Sequence, residues 1–361
     1  MSLRLRRPTN RRRDAIAPCD AIVGTRAAAM ETGDGRMSRR EAIFACVGGT
    51  GIYGAAIAAT GWSGALAADA PTTPAAVGPP RRALRFAHLT DIHVQPELHA
   101  EEGLAKCLEH VQSLDVKPDL ILTGGDHVMD AFEQAAPRAT LVRKLWRECV
   151  RQGCSLRVES AIGNHDIWGW HSRAKLTGTE PEFGKAFALD MLGLSNRYRS
   201  FDAGGWHFVV LDSIQRRPDT YVCEIDDEQF AWLEQDLATS RGGRPTVVLS
   251  HAPIITVTVA SSGDRRKNDT LVLSGGLQHL DGPRVHALLR RHDVKLCLSG
   301  HIHLLDRCTV DGVTYVCDGA VCGAWWKGAN KGVPEGYGVV DLYDDGSFEH
   351  RYQPYGWVAI P

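Results

Sequence analysis

The sequence predicts an α/β fold with largely buried strands, and two observations carry that reading. From residue 84 to residue 299, short apolar runs of strand length alternate with amphipathic stretches of helical period. Those runs also end, one after another, in Asp, Asn or His, and α/β sheets bind ligands in the crevice beyond the carboxyl ends of their strands. A chain of 361 residues suits one large domain with an ample core.

The N-terminal part lies outside this pattern. Residues 1–36 read as a basic extension, either untranslated or disordered, with Met37 as the alternative start. From there "MSRREAIF" sets Arg39-Arg40 ahead of an uncharged, Ala- and Gly-rich stretch from Ala42 to Ala68 that closes on "ALAA". A charged start, an apolar middle and an A-x-A end mark residues 37–67 as a secretory signal, and the paired arginines point to the twin-arginine route. Ala42 stands where that route's pattern usually has Phe. The expectation is a periplasmic or secreted protein. An uncleaved membrane anchor is the alternative, since the run exceeds about 18 residues, but Gly and Thr dilute it and favour cleavage. Residues 68–83 read as a Pro/Ala linker, and the folded domain is expected over 84–361.

Strands are predicted at 84–89, 119–124, 155–161, 206–212, 246–250 and 294–299, on runs such as "LRFAHL", "TVVLS" and "VKLCLS". Helices are predicted near 101–114, 135–152, 182–193, 227–240 and 282–292. The fourth of these opens on Asp226-Asp227-Glu228, acidic residues suited to the positive end of a helix dipole. After residue 303 the character changes. "RCTVDGVTYVC" reads as a hairpin turning on Asp311-Gly312, and "YGVVDLY" and "SFEHRY" follow with no helix between them. These strands suggest a second, antiparallel sheet edge.

Ten basic and five acidic residues fall within 1–67, so the remainder carries a net charge of −7 against −2 for the whole chain. That sign argues against sequence-independent binding to nucleic acid, which relies on basic surface. Cys19 and Cys46 precede the predicted cleavage point and leave eight cysteines. Export permits pairing, with Cys308–Cys317 and Cys149–Cys154 as candidate bridges, but a domain of this size needs no staples. Mostly free, buried thiols are expected. No C-x-x-C occurs, which argues against a zinc ribbon or a thioredoxin-like site.

Five strand ends gather the polar residues. "HLTDIH" places Asp91 and His93 at i and i+2, on one face of extended chain. "TGGDH" offers Asp126, "SAIGNHDIW" offers Asn164, His165 and Asp166, "LSHAP" offers His251, and "LSGHIH" offers His301 and His303. One histidine after one strand is more often a hydrogen-bonded surface residue than a ligand. Five such ends in this order fit chance poorly. His88, inside the first strand, is expected to face the core, while His110, His279, His286, His292 and His350 read as structural or solvated.

This series, D-x-H, G-D, G-N-H-[DE], H and G-H-x-H, resembles the calcineurin-like metallophosphoesterase family over residues 84 to about 345. The resemblance implies an α/β four-layer αββα sandwich of two mixed β-sheets flanked by helices, with a dimetal site at the strand C-terminal ends. It implies that one metal takes Asp91, His93 and His303, that the other takes Asn164, His251 and His301, and that Asp126 bridges both. His165, turned away from its metal-bound neighbour, would protonate the departing alkoxide as general acid, and Asp166 would orient the site. The implied enzyme is a metal-dependent phosphoric ester hydrolase in which metal-bound hydroxide attacks a small phosphate ester, a diester rather than a monoester. A phosphomonoesterase or nucleotidase on the same centre and a non-catalytic metal-binding scaffold are the alternatives. Purple acid phosphatases carry Tyr three residues after the bridging aspartate, where this chain has Met129, so a ferric-tyrosinate site is not expected. Motif order and length are more similar to the cyclic-nucleotide and glycerophosphodiester phosphodiesterase branch.

The charges agree with that reading. Two divalent or mixed-valence cations bring at least four positive charges, Asp91 and Asp126 neutralise two, and the surplus favours an anionic phosphate. Mixed imidazole, carboxylate and amide donors suit Mn, Fe or Zn, and the set lacks the thiolates of a structural zinc site. His127, His171 and "GAWWKGANKG" (323–332) are candidates to border the substrate. Trp325 and Trp326 offer faces for a base or sugar, although paired Trp is as often core.

Replacing Arg39 and Arg40 together by Lys is expected to hold the full-length precursor in the cytoplasm. Immunoblots of cell fractions check this, and unaltered processing near Ala67 would rule out the twin-arginine route.

Overall fold

In the computed structural model the described residues are 78–240, 243–261 and 266–360. The expected signal, its alternative as an anchor and most of the linker therefore lie outside the described residues. Among the described residues, no helix is long and apolar enough to cross a membrane.

The first half of the chain supplies β1 (Arg82–Leu89), α1 (Ala100–Gln112), β2 (Leu120–Thr123), α2 (Ala136–Gly153), β3 (Arg157–Ser160) and α3 (Lys185–Leu192). An antiparallel stretch follows, with β4 (Arg199–Ala203), β5 (Trp206–Val210), β6 (Ile214–Arg217) and β7 (Thr220–Cys223). Then come α4 (Asp227–Thr239), β8 (Thr246–Leu249), α5 (Thr258–Ser261), β9 (Arg266–Lys267), β10 (Thr270–Leu271) and α6 (Gly282–Leu289). The chain closes with β11 (Val294–Ser299), β12 (Asp306–Val310), β13 (Val313–Cys317), β14 (Gly336–Tyr343) and β15 (Phe348–Pro354). The six strands and five helices expected from the sequence all form, and Asp226 caps α4 by accepting the Gln229 amide at 2.9 Å.

Two mixed sheets result. One has the order β15-β14-β1-β2-β3, with β1, β2 and β3 parallel and β14 antiparallel to β1. The other has the order β12-β13-β11-β8-β5-β4, in which β13, β11, β8 and β5 are parallel. The strand period decides which residues meet between the sheets. Phe86, Leu122, Phe208, Val210, Val247 and Leu298 turn inward to the shared core, and Phe86 meets Phe208 edge to face at 5.8 Å. Their neighbours Ala87, Val209 and Val248 turn outward beneath helices. α1 and α2 cover the first sheet through Leu104, Leu108 and Trp146, while α4 and α6 cover the second through Leu233, Leu237 and Leu288. The architecture is the αββα sandwich.

The C-terminal strands depart from expectation. They do not form one antiparallel edge but divide between the sheets, β12 and β13 closing the second and β14 and β15 the first. β13 is also parallel to β11, which a short helix-free connection does not announce. Strand β4 and the hairpin β6–β7 were not expected, because RSFDA and IQRR carry too few apolar residues to read as strands and TYVC is a run of only four residues. Asp311 and Gly312 do make the predicted turn, both with positive φ. All eight cysteines of the described residues are free thiols, and Cys308 pairs across the ladder with Tyr315.

Gly103 in α1 marks the tightest helix contact. A methyl group there would lie 2.2 Å from the Trp326 ring. Helix propensity favours Ala over Gly by about 1 kcal/mol, whereas overpacking costs about 1–3 kcal/mol. An approach of 2.2 Å puts the cost at the upper end of that range, so Gly103→Ala is expected to lower unfolding free energy by about 2 kcal/mol in urea titrations, and a neutral or stabilised variant would contradict the packing.

Candidate dimetal centre

Each candidate residue sits on a loop leaving the carboxyl end of a strand. β1 delivers Asp91 and His93, β2 delivers Asp126, and β3 delivers Asn164, His165 and Asp166, all from the first sheet. β8 delivers His251 and β11 delivers His301 and His303, from the second. Because both sheets present these ends at the same edge, the loops meet above the shared core. The motif glycines are what permit that approach. A Cβ on Gly163 would lie 2.2 Å from the Asp126 backbone nitrogen, and one on Gly300 would lie 2.2 Å from an Asp91 carboxylate oxygen.

The donor atoms form two groups joined by one carboxylate. In the first, His303 Nε2 lies 3.3 Å from Asp91 Oδ1 and 3.1 Å from His93 Nε2. In the second, His251 Nε2 lies 3.1 Å from both Asn164 Oδ1 and His301 Nδ1. Asp126 Oδ2 stands between them, 3.6 Å from His93 Nε2 and 3.4 Å from His251 Nε2. The side chains that the motifs grouped lie near one another.

Hydrogen bonds on the far side of the rings set what faces inward. His251 Nδ1 meets Gly124 O at 2.8 Å, His303 Nδ1 meets Gly323 O at 2.9 Å, and His301 Nε2 meets Gly276 O at 2.7 Å. A carbonyl oxygen only accepts, so each of those nitrogens is an N–H and the opposite nitrogen of the neutral ring is a lone pair. Three lone pairs then face one another and the oxygens of Asp91, Asp126 and Asn164. Acceptors packed this closely repel unless a positive charge lies among them, and divalent cations meet that need. The residues present fit two such ions. With protons alone, burial opposes charge on His251, but Asp126 beside it raises the ring to about 9. Burial likewise opposes charge on His303, yet Asp91 raises it well above the usual histidine range. Burial and then the neighbouring His251 push His301 down to about 4, and burial pushes His93 down as well. Asp91 and Asp126 stay below the ordinary carboxylate range, burial being outweighed chiefly by His303 and His251 respectively.

His165 lies at the rim, its ring centroid 4.8 Å from that of His93. Its backbone N–H donates to Asp126 Oδ1 at 2.8 Å, and its Nδ1 is buried with no hydrogen-bond partner. A ring nitrogen of His165 is also within 4.8 Å of donors on His93 and Asp126. Asp166 is fully buried and does not reach the cluster edge. Its carboxylate accepts the backbone N–H groups of Asp126 (3.0 Å), Gly163 (2.9 Å) and His127 (2.8 Å), and binds His127 Nδ1 at 2.9 Å. Asp166 therefore ties together the two loops that carry Asp126 and Asn164.

Several candidates lie elsewhere than the sequence suggested. His127 does not border the cleft: it is fully buried between Asp166, Thr123 and the Trp146 ring. His171 is half-buried at the start of a short turn, near Glu133 and Asp219. The tryptophans divide, with Trp326 fully buried and Trp325 exposed beside His303. His88 and His350 share the Asp318 carboxylate at 2.7 and 2.9 Å, a structural role as read. The sequence reading missed Cys322, whose sulfur lies within 4.8 Å of donors on His93 and His303. The signal available was its place just past the end of β13, beside the five motif-bearing strand ends. Burial raises its pKa, which keeps it a neutral thiol.

Asp166→Ala would leave buried backbone N–H groups and His127 Nδ1 without a partner. The expected loss is about 3–5 kcal/mol in urea unfolding, together with a lower metal content by elemental analysis. A variant with wild-type stability and metal content would remove Asp166 from its positioning role.

Comparison with known proteins matches the part of the chain that carries these residues. The family model for calcineurin-like phosphoesterases matches residues 84–305. A probable cyclic nucleotide phosphodiesterase of Rhodococcus erythropolis is 28% identical over 292 residues, covering 77% of this chain and 85% of that protein. A 3′,5′-cyclic-nucleotide phosphodiesterase of Nostoc sp. is 26% identical over 298 residues, covering 77% and 96%. A cAMP/cGMP dual specificity phosphodiesterase of Mycobacterium tuberculosis is 26% identical over 251 residues, covering 67% and 69%. Among solved structures, a dimetal phosphatase from Danio rerio shares the fold with a TM-score of 0.53 at 14% identity, covering 76% of this chain and 97% of the other. With the five motifs, the sandwich and the paired donor groups in place, the chain belongs to the calcineurin-like phosphoesterase family and is a metal-dependent phosphoric ester hydrolase.

Proposed function

We propose that this protein is an exported phosphodiesterase that opens the ester ring of cyclic nucleotides. The observation that carries the reading is the pair of donor groups joined by Asp126, with His165 at their rim and free of any side-chain hydrogen bond at Nδ1. Three relatives whose names all specify cyclic-nucleotide phosphodiesterases support the substrate class. Paired arginines ahead of an apolar run support export.

Asp91, His93 and His303 are proposed to hold one ion, Asn164, His251 and His301 the other, and Asp126 both. Mn, Fe and Zn all suit these donors. When bound, two such cations polarise the phosphate and lower the pKa of water at the site. The chain's own part is geometric and acid–base. Asp126 keeps the two groups together, and its second oxygen accepts the His165 amide, so the loop that carries the acid cannot drift from the phosphate. His165 donates its ring proton to the departing ribose oxygen as the P–O bond breaks, and a water proton later restores it. Asp166 holds the geometry without touching the reacting atoms.

Two substitutions test the division of labour. Asp126→Ala is expected to lose both ions and nearly all activity. His165→Ala is expected to keep both ions and to slow hydrolysis of cyclic AMP by ~10²-fold or more, with little effect on bis(p-nitrophenyl) phosphate, whose leaving group needs no proton. Elemental analysis and rates on the two esters decide it. Loss of an ion from His165→Ala, or equal slowing of both esters, would make His165 a ligand or phosphate-binding group instead.

A further inference from the structure

The segment after β13 is fastened onto the loops that carry the donors. Val321 and Cys322 donate backbone N–H groups to Thr90 O at 2.9 Å and Asp91 O at 3.3 Å. Gly323 O accepts His303 Nδ1 at 2.9 Å, Trp326 Nε1 donates to His93 O at 3.0 Å, and Asn330 Nδ2 donates to His303 O at 3.0 Å. Within this anchored turn Trp325 and Trp326 both have positive φ, 52° and 67°, a backbone region that bulky L-residues adopt only when the surroundings impose it. The two indoles separate. Trp326 fills the core against α1, whereas Trp325 remains 41% exposed, its ring centroid 4.8 Å from His303 and 6.4 Å from His93.

Core packing explains Trp326 and leaves Trp325 unexplained, since a polar residue would satisfy an exposed turn with less apolar surface in water. A rigid aromatic face held open beside a phosphate-binding centre is what a planar base requires, because stacking needs area, low side-chain entropy and a fixed orientation. We propose that Trp325 is a specificity-determining residue that stacks on the base of a nucleotide whose phosphate sits at the donor cluster. The inference rests on the phosphodiester reading for the identity of the substrate, but not for the binding itself. His303 contacts both the indole and the Asp91 oxygen, and in this arrangement the ribose lies across that imidazole, with the phosphate at the cluster and the base over the indole. An alkyl phosphodiester has no such ring and gains nothing from Trp325.

The test measures equilibrium binding, by calorimetry, of AMP and of inorganic phosphate to full-length protein loaded with Mn²⁺. Trp325→Ala is expected to weaken AMP about tenfold or more while leaving inorganic phosphate unchanged, and Trp325→Phe is expected to recover most of the AMP affinity. In turnover of cyclic AMP, Trp325→Ala should raise KM and spare kcat. AMP binding that survives Trp325→Ala, or a parallel loss of phosphate binding, overturns the stacking role. Absence of cyclic AMP hydrolysis by the wild type would instead overturn the proposed substrate and leave the AMP comparison to decide Trp325.

Discussion

Two carboxylates, Asp91 and Asp126, have to stay ionised where water is nearly excluded, and the edge of the fold that carries the site is arranged around that requirement. Removing such a charge from water costs several kcal/mol even after the protein relaxes. The structure offsets it with oriented donors from both sheets. Asp91 accepts the Thr90 hydroxyl at 2.8 Å and the His301 amide at 2.9 Å and faces His303, while Asp126 accepts the His165 amide at 2.8 Å and faces His93 and His251. Several of these partners arrive from the opposite sheet. The bonds that keep the charges are therefore also bonds that fix how the two sheets meet at this edge.

The loops meet at this edge in a strained conformation. Asp91, His93, Asp126, His301 and His303 all have positive φ, although none is glycine. Each such residue costs roughly 1–3 kcal/mol and persists only where its surroundings determine it. Here the surroundings are stiff. The preceding residues are locked in parallel ladders, and Asp91, Ile92 and His93 donate their N–H groups to the Gly125 and Asp126 carbonyls. Sharp turns directly after a strand bring side chains back over the sheet end, so donors from five strands converge with no long mobile loop between scaffold and site. The result is preorganisation: the charges face inward before any phosphate arrives.

Much of this was legible along the chain. Strand and helix periods located the principal elements, because buried strands and amphipathic helices leave regular apolar patterns that need no partner to be seen. The seven ligand candidates stood out for a related reason: each follows its strand within a few residues, so local sequence carries both position and chemistry. What failed depended on a pairing partner rather than on a strand's own residues. RSFDA and IQRR become strands because a neighbouring strand pairs with them, not because their own residues favour it. The final strands went to different sheets because β14 finds β1 and β13 finds β11, partners more than a dozen residues distant.

Side-chain fate divided along the same line. Adjacent residues of one type, Trp325 and Trp326, received opposite environments, since one strained turn directs one indole into the core and the other into solvent. His127 looks in sequence like a further member of the G-D motif, yet it supports Asp166 from behind the site. Cys322 came within reach of His93 and His303 through the course of a loop that no spacing rule describes. The sequence by itself determined the fold class, the order of the principal strands along the chain and the candidate donors, because period and motif are local properties. Only the tertiary structure decided how far apart the donors stand, that His127 lies behind the site rather than at the cleft, and which aromatic remains exposed beside it. Those depend on distances across two sheets, and a linear pattern holds no such distances.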